Sequence, residues 1–166
     1  QRSAVASWRE LALVDAQLMR RRAFFVIARW IAEQLADFSG RGAVVPGANS
    51  GIGWHVAFEL ARRGVHVVLA CRAVERGTPA ADRIRRRAPD ADVEVAELNL
   101  ASMESVRAFG SGWTVPLDLL INNAGVMAPP KRGRTQDGYE LQFGTNHLGH
   151  FVLTGLLLPA LLAGTG

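Results

Sequence analysis

The segment Gly47-Ala48-Asn49-Ser50-Gly51-Ile52-Gly53 constrains this chain more than any other. It follows the β-branched run Ala43-Val44-Val45 and opens a stretch of helical periodicity, His55 to Arg63. Glycines at its first, fifth and seventh positions let the backbone turn tightly from strand to helix and approach a bound group closely. A pyrophosphate suits such a turn, because backbone N–H groups and the positive helix end meet its charge. The segment is not a P-loop, since no Lys-Ser or Lys-Thr follows it.

A glycine loop by itself also suits an ordinary strand-to-helix turn, so its surroundings decide. Further apolar runs are Val65 to Ala70, Val93 to Leu98 and Leu117 to Ile121, and the helical stretches between them are Pro79 to Arg87 and Ser102 to Phe109. Alternation of this kind implies an α/β fold with a parallel sheet and right-handed crossovers. The second run is almost continuously apolar, as expected of a strand covered on both faces. The glycine loop therefore falls in the first crossover, where doubly wound folds bind phosphate. Nineteen residues beyond Gly53, at the end of the second strand, stands Cys71-Arg72. An acid there would hold a ribose 2′-hydroxyl, whereas an arginine accommodates a 2′-phosphate, so Arg72 favours NADP(H) over NAD(H).

Composition removes other classes of function. The 166 residues are 49% hydrophobic and 20% charged, with a net charge of +4, ordinary values for a globular protein. Residues 41–90 carry nine arginines against four acids, but Arg83, Arg85, Arg86 and Arg87 follow Ala80, Ala81 and Ile84 in a helical pattern, so they read as a solvated helix face. No aromatic residues interleave with them, and no nucleic-acid partner is expected. The one cysteine, Cys71, excludes an internal disulfide and sets a reducing cytoplasm as the expected compartment. His147 and His150 lie three apart with no third ligand nearby, so no metal site is expected.

Two apolar stretches flank this pattern. Residues 7–38 place Trp8, Leu11, Val14, Leu18, Phe25, Ile31, Leu35 and Phe38 at helical spacings, interrupted by Arg20, Arg21 and Arg22. The segment Ala23 to Ala28 is too short to span a bilayer. A basic helix bearing Phe24, Phe25 and Trp30 could lie on a membrane surface, but a helix added to the domain is the favoured reading. From Tyr139 to Leu162 runs a long apolar helix that something must bury. Pro159 removes a helical donor, so neither a membrane span nor a helix continuous to the end is expected.

Two later motifs complete the pattern: Asn122-Asn123-Ala124-Gly125 after the fourth strand and Asn146-His147-Leu148-Gly149-His150 on a following helix. Together with the glycine loop they resemble the short-chain dehydrogenase/reductase family. The wording Leu69-Ala70-Cys71-Arg72 and Phe143-Gly144-Thr145-Asn146-His147-Leu148-Gly149-His150-Phe151 is most similar to its retinol-dehydrogenase-like branch. The resemblance runs from about Ser39 to about Leu162 and implies a Rossmann-type doubly wound sheet. It further implies that Gly47, Ser50, Gly51, Ile52 and Gly53 line the pyrophosphate and Arg72 faces the 2′-phosphate. Asn99 and Leu100 would contact adenine, and Asn123, Ala124 and Gly125 would lie along the ribose. Asn146 matches the family's catalytic-site asparagine, which holds a water in the proton relay, and Asn122 matches a position that braces the central sheet. The implied substrate is a small carbonyl or alcohol compound. Pro46 replaces the family's Thr and gives up a backbone donor; Asn99 replaces its usual Asp but keeps an oxygen acceptor.

The family's chemistry also uses a Ser and a Tyr with a Lys four residues later, all after the helix bearing the asparagine. Downstream of Asn146 this chain has no Tyr, Lys or Ser. Its single tyrosine, Tyr139, precedes Asn146, and its single lysine, Lys131, precedes Tyr139 by eight residues. The expectation is a fragment: residues 1–38 a helical extension, and residues 39–166 a partial dinucleotide-binding domain that stops after the helix following strand 4. Three readings are open: the cofactor-binding part of an NADP-dependent oxidoreductase, inactive at this length; a nucleotide-binding or interaction module; or a remnant without stable function. An uncovered apolar helix would favour association, including a homo-oligomer.

Overall fold

A computed structural model of the chain describes residues 38–165. The helices expected over residues 1–38, and the membrane contact considered for them, fall outside the described residues apart from Phe38. Four parallel strands form one sheet in the order β3-β2-β1-β4, where β1 is Gly42–Pro46, β2 His66–Cys71, β3 Val93–Glu97 and β4 Leu119–Leu120. Three helices connect them: α1 Gly51–Ala61, α2 Val74–Arg87 and α3 Met103–Ser111. After β4 a long loop leads to a short helix α4, Leu141–Phe143. It continues through a π-helical segment, Gly144–Gly149, into α5, His150–Ala163.

Strand alternation sends successive residues to opposite faces, and both faces are buried. Val45, Val67 and Leu69 pack under Trp54, Ala57, Ala81 and Ile84 from α1 and α2. On the other face Val44, Val68 and Ala70 meet Val106 of α3 and Leu153 and Leu157 of α5. This two-sided burial is the doubly wound arrangement expected from the sequence, reduced to one half.

Two boundaries differ from expectation for stated reasons. The helix through Pro159 is not broken: α5 runs on to Ala163. Pro159 and Gly155 lie on its exposed face, so the carbonyl left without an N–H partner faces solvent and loses little. The run Leu141–Ala163 is long and apolar enough to cross a bilayer by length and composition, but Leu153 and Leu157 are fully buried against the sheet and Leu117 N donates to Ala160 O. Its other face is open, with Phe151 70% and Leu162 78% exposed. Strand β4 is shorter than the apolar run Leu117 to Ile121. Ile121 N still donates to Val44 O, but the next ladder bond falls to residue 46, and proline has no N–H to give.

Candidate functional site

The carboxyl ends of the strands open onto a cleft of about 680 Å³. Its wall begins with the glycine loop. Gly47 has φ +75°, and a Cβ there would stand 3.0 Å from Ala124 Cα, so the turn and its approach to the β4 loop both require glycine. A side chain at Gly53 would strike Asn123 Nδ2 and stand 2.7 Å from Gly47 O. Ser50 is the N-cap of α1, and its hydroxyl makes no capping bond. The first amides of α1 and that hydroxyl are thus available at a positive helix end, as an anion requires.

The second wall comes from β2 and the start of α2. Cys71 is buried, and burial pushes its thiol up while the backbone N–H of Asn49 draws it the other way. Arg72 follows on the surface. The third wall is Leu98, Asn99, Leu100 and Ala101 beyond β3. Asn99 Oδ1 already accepts from Ala101 N at 3.1 Å, which holds this loop in a local turn.

The fourth wall is Asn123-Ala124-Gly125-Val126, and side-chain bonds hold it from three directions. Asn123 Nδ2 donates to Pro46 O at 3.0 Å, tying the loop to β1. Asn122 Nδ2 donates to Thr154 Oγ1 at 3.1 Å. The His150 ring bridges Asn122 Oδ1 at 3.0 Å and Ala124 O at 2.7 Å. Asn146 Oδ1 accepts from Val126 N, and Asn146 Nδ2 donates to Val126 O, both at 2.7 Å.

Of the residues expected at the site, Gly47, Ser50, Arg72, Asn99, Leu100, Asn123, Ala124 and Gly125 line this one cleft. Gly51, Ile52, Gly53 and Asn146 do not. Gly51 (φ +58°) is exposed where the loop turns into α1, Gly53 is buried behind the loop against Asn123, Ile52 is 78% exposed at the start of α1, and Asn146 works through Val126. Sequence reasoning missed Asn49, Arg76, Leu141 and Thr145, which also line the cleft. Arg76, four residues after Arg72, is the one that residue type could have flagged. Thr145 Oγ1 is buried without a hydrogen-bond partner. Neither Tyr139 nor Lys131 lines the cleft, and Tyr139 N is engaged by Thr135 Oγ1. Among the described residues, no group of three His, Cys, Asp or Glu side chains forms a metal site.

A half-wound parallel sheet with a glycine-walled, anion-ready cleft at its carboxyl edge defines a Rossmann-type α/β fold. Residues 41–166 match the family model for short chain dehydrogenase, and the chain belongs to that family. It is 48% identical to retinol dehydrogenase 13 of Homo sapiens over 131 residues, 77% of this chain and 39% of that one. Over 132 residues it is 48% identical to dehydrogenase/reductase SDR family member 13 of Homo sapiens, covering 78% and 34%. The chain thus spans about two fifths or less of the length of these relatives. Among solved structures, an uncharacterised protein from Mycobacterium paratuberculosis superposes with a TM-score of 0.70 at 50% identity, covering 78% of this chain and 46% of that one. L-sorbose reductase from Gluconobacter frateurii, solved with NADPH and L-sorbose, gives a TM-score of 0.63 at 27% identity, covering 77% and 51%. The family binds nicotinamide cofactors and acts on small alcohol or carbonyl compounds.

Proposed function

We propose that this chain is the NADP(H)-binding part of a short-chain oxidoreductase that interconverts a carbonyl and an alcohol, and that it lacks turnover at this length. The observation that carries the reading is the cleft itself. The glycine loop and uncapped α1 terminus stand on one side, Arg72 on another, and no acidic residue lies among its lining residues. The backbone amides of Ser50 and Gly51 would hold the pyrophosphate, Gly47 would give it room to approach, and Ile52 would cover it from the rim. Arg72 would take the 2′-phosphate, Asn99 and Leu100 would face adenine, and Asn123 to Gly125 would lie along the ribose. When bound, a nicotinamide dinucleotide supplies or accepts a hydride. Asn146 is assigned to the catalytic arm of the whole protein through the loop it positions. Without a tyrosine and lysine in the family's spacing, residues 1–166 lack the pair that the family uses to donate a proton to the substrate oxygen.

Thermal denaturation with NADPH, NADH and no ligand tests the reading. NADPH should raise Tm more than NADH, because only the state that binds is stabilised. No aldehyde or ketone should be reduced by this chain. Equal stabilisation by both nucleotides would overturn the cofactor assignment, no stabilisation would overturn binding altogether, and measurable turnover would overturn the claim of inactivity. The single buried, unpaired Cys71 supports a reducing compartment as part of the same proposal.

A further inference from the structure

Among the described residues, Thr145 carries the one buried side-chain oxygen or nitrogen that makes no hydrogen bond. The residue is only 8% exposed, yet it lines the same cleft as the glycine loop. A hydroxyl so placed gives up water on folding and gains no partner in exchange. Its polar neighbours are satisfied. Asn146, the next residue, bonds Val126 through both ends of its amide, and the His150 ring bridges Asn122 and Ala124. The buried hydroxyl of Ser102 accepts from Ser105 N at 3.3 Å.

Packing explains how Thr145 reaches the cleft. It stands in the π-helical segment Gly144–Gly149, whose two ends are glycine. A Cβ at Gly149 would stand 2.5 Å from Leu100 O, and one at Gly144 would collide with Thr135 Cγ2. The absent side chains let the segment press against the loop beyond β3, and Thr145 is thereby brought to the wall formed by Leu98, Asn99, Leu100 and Ala101. That is the wall assigned above to adenine. On it, Asn99 Oδ1 is already taken by Ala101 N at 3.1 Å, and the other end of the Asn99 amide can only donate. An adenine edge carries an amino donor beside ring-nitrogen acceptors, so its amine needs an oxygen. No carboxylate lines the cleft to provide one.

We propose that Thr145 is the base-recognising residue of this site and that its hydroxyl accepts a hydrogen bond from the 6-amino group of adenine. The proposal rests on the nucleotide-binding reading and deepens it. A hydrogen bond made on binding usually nets little, because both groups must first leave water. Thr145 has left water already, on folding, so the bond to the amine is opposed by desolvation of the ligand alone. The same unmet hydroxyl thus costs stability in the free protein and gives base preference in the bound one.

The test is titration of the full chain with ADP and with purine riboside 5′-diphosphate, which lacks the 6-amino group, comparing wild type, Thr145→Val and Thr145→Ser. Wild type should prefer ADP about tenfold. Thr145→Val should lose that preference by weakening ADP and leaving the analogue unchanged, and Thr145→Ser, which keeps the hydroxyl, should retain it. The preference should also persist in high salt, because the contact carries no net charge. If Thr145→Val keeps the preference, or wild type binds both ligands equally, the role given to Thr145 is overturned while the NADP(H) reading stands. A valine variant that melts below wild type would show the hydroxyl to be bonded within the free protein, and that too overturns the role. If wild type binds neither ADP nor NADPH, the nucleotide reading falls and takes this one with it.

Discussion

Asn146 grips the backbone of Val126 by both ends of its amide, accepting from Val126 N and donating to Val126 O at 2.7 Å each. The two residues are twenty apart, one in the π-helical segment and one in the loop after β4. The contact therefore sets the distance between the cleft's fourth wall and the long helix. Gly125 belongs to the same fit, since a Cβ there would come within 3.4 Å of Asn146 Oδ1. A π-helical turn at this position widens the helix locally, a feature found often at functional sites.

Asn146→Ala removes both bonds and leaves the Val126 backbone to solvent. The expected loss is about 1–2 kcal/mol, read as a lower Tm, with weaker NADPH binding because the loop beside the ribose is released. An unchanged Tm and affinity would show that the clamp positions nothing.

Pro46→Thr restores the donor that the β1–β4 ladder lacks at the mouth of the glycine loop. Tighter NADPH binding in a fluorescence titration is the expected result, together with slower hydrogen exchange at Ile121 as β4 lengthens. Equal affinity would refute the link between the ladder and the loop.

Thr145→Val should stabilise the protein. Its buried hydroxyl has no partner, so the native residue carries a desolvation cost that an apolar isostere removes. A gain of about 1 kcal/mol in chemical denaturation is expected; a loss would mean that the hydroxyl is satisfied in solution.

Acid should loosen the edge of the sheet at Asp118. The N–H of Gly42 on Oδ2, then the N–H and hydroxyl of Thr165 on Oδ1, hold this carboxyl below the usual aspartate range. A carboxylate with a depressed folded pKa contributes stability that is present above the unfolded value, near 4, and is lost as pH falls through the folded one. Glu59 behaves alike: burial raises it, but the hydrogen bonds from Arg62 and Arg63 outweigh that. Unfolding midpoints measured from about pH 5 down to pH 2 should fall, and Asp118→Asn should flatten that slope. An identical slope in the variant would show that Asp118 contributes nothing to the acid response.

Much of the site was legible before the fold was known. Gly47, Arg72 and Asn123 could be read because each answers a local demand: a positive φ, a charge at a strand end, a loop after the fourth strand. Arg76 and Thr145 could not, because nothing local distinguishes an arginine in a basic helix or a threonine beside an asparagine. Their place in the cleft depends on Gly77 packing under Val95 and on the helix that carries Thr145 being drawn to the sheet. Pro159 misled for the complementary reason: its cost depends on which face of α5 meets water.

The amino-acid order alone determined the alternation of strands and helices, the glycine turn and the family, since these follow from periodicity and backbone freedom within a few residues. The tertiary structure decided which side chains are left without partners. It brought Arg76 into the cleft that Arg72 also lines, committed both ends of Asn146 to Val126, and left Phe151 and Leu162 of α5 exposed. Those outcomes arise from contacts between segments far apart in the chain, where packing geometry, rather than any local preference, sets what each group can reach.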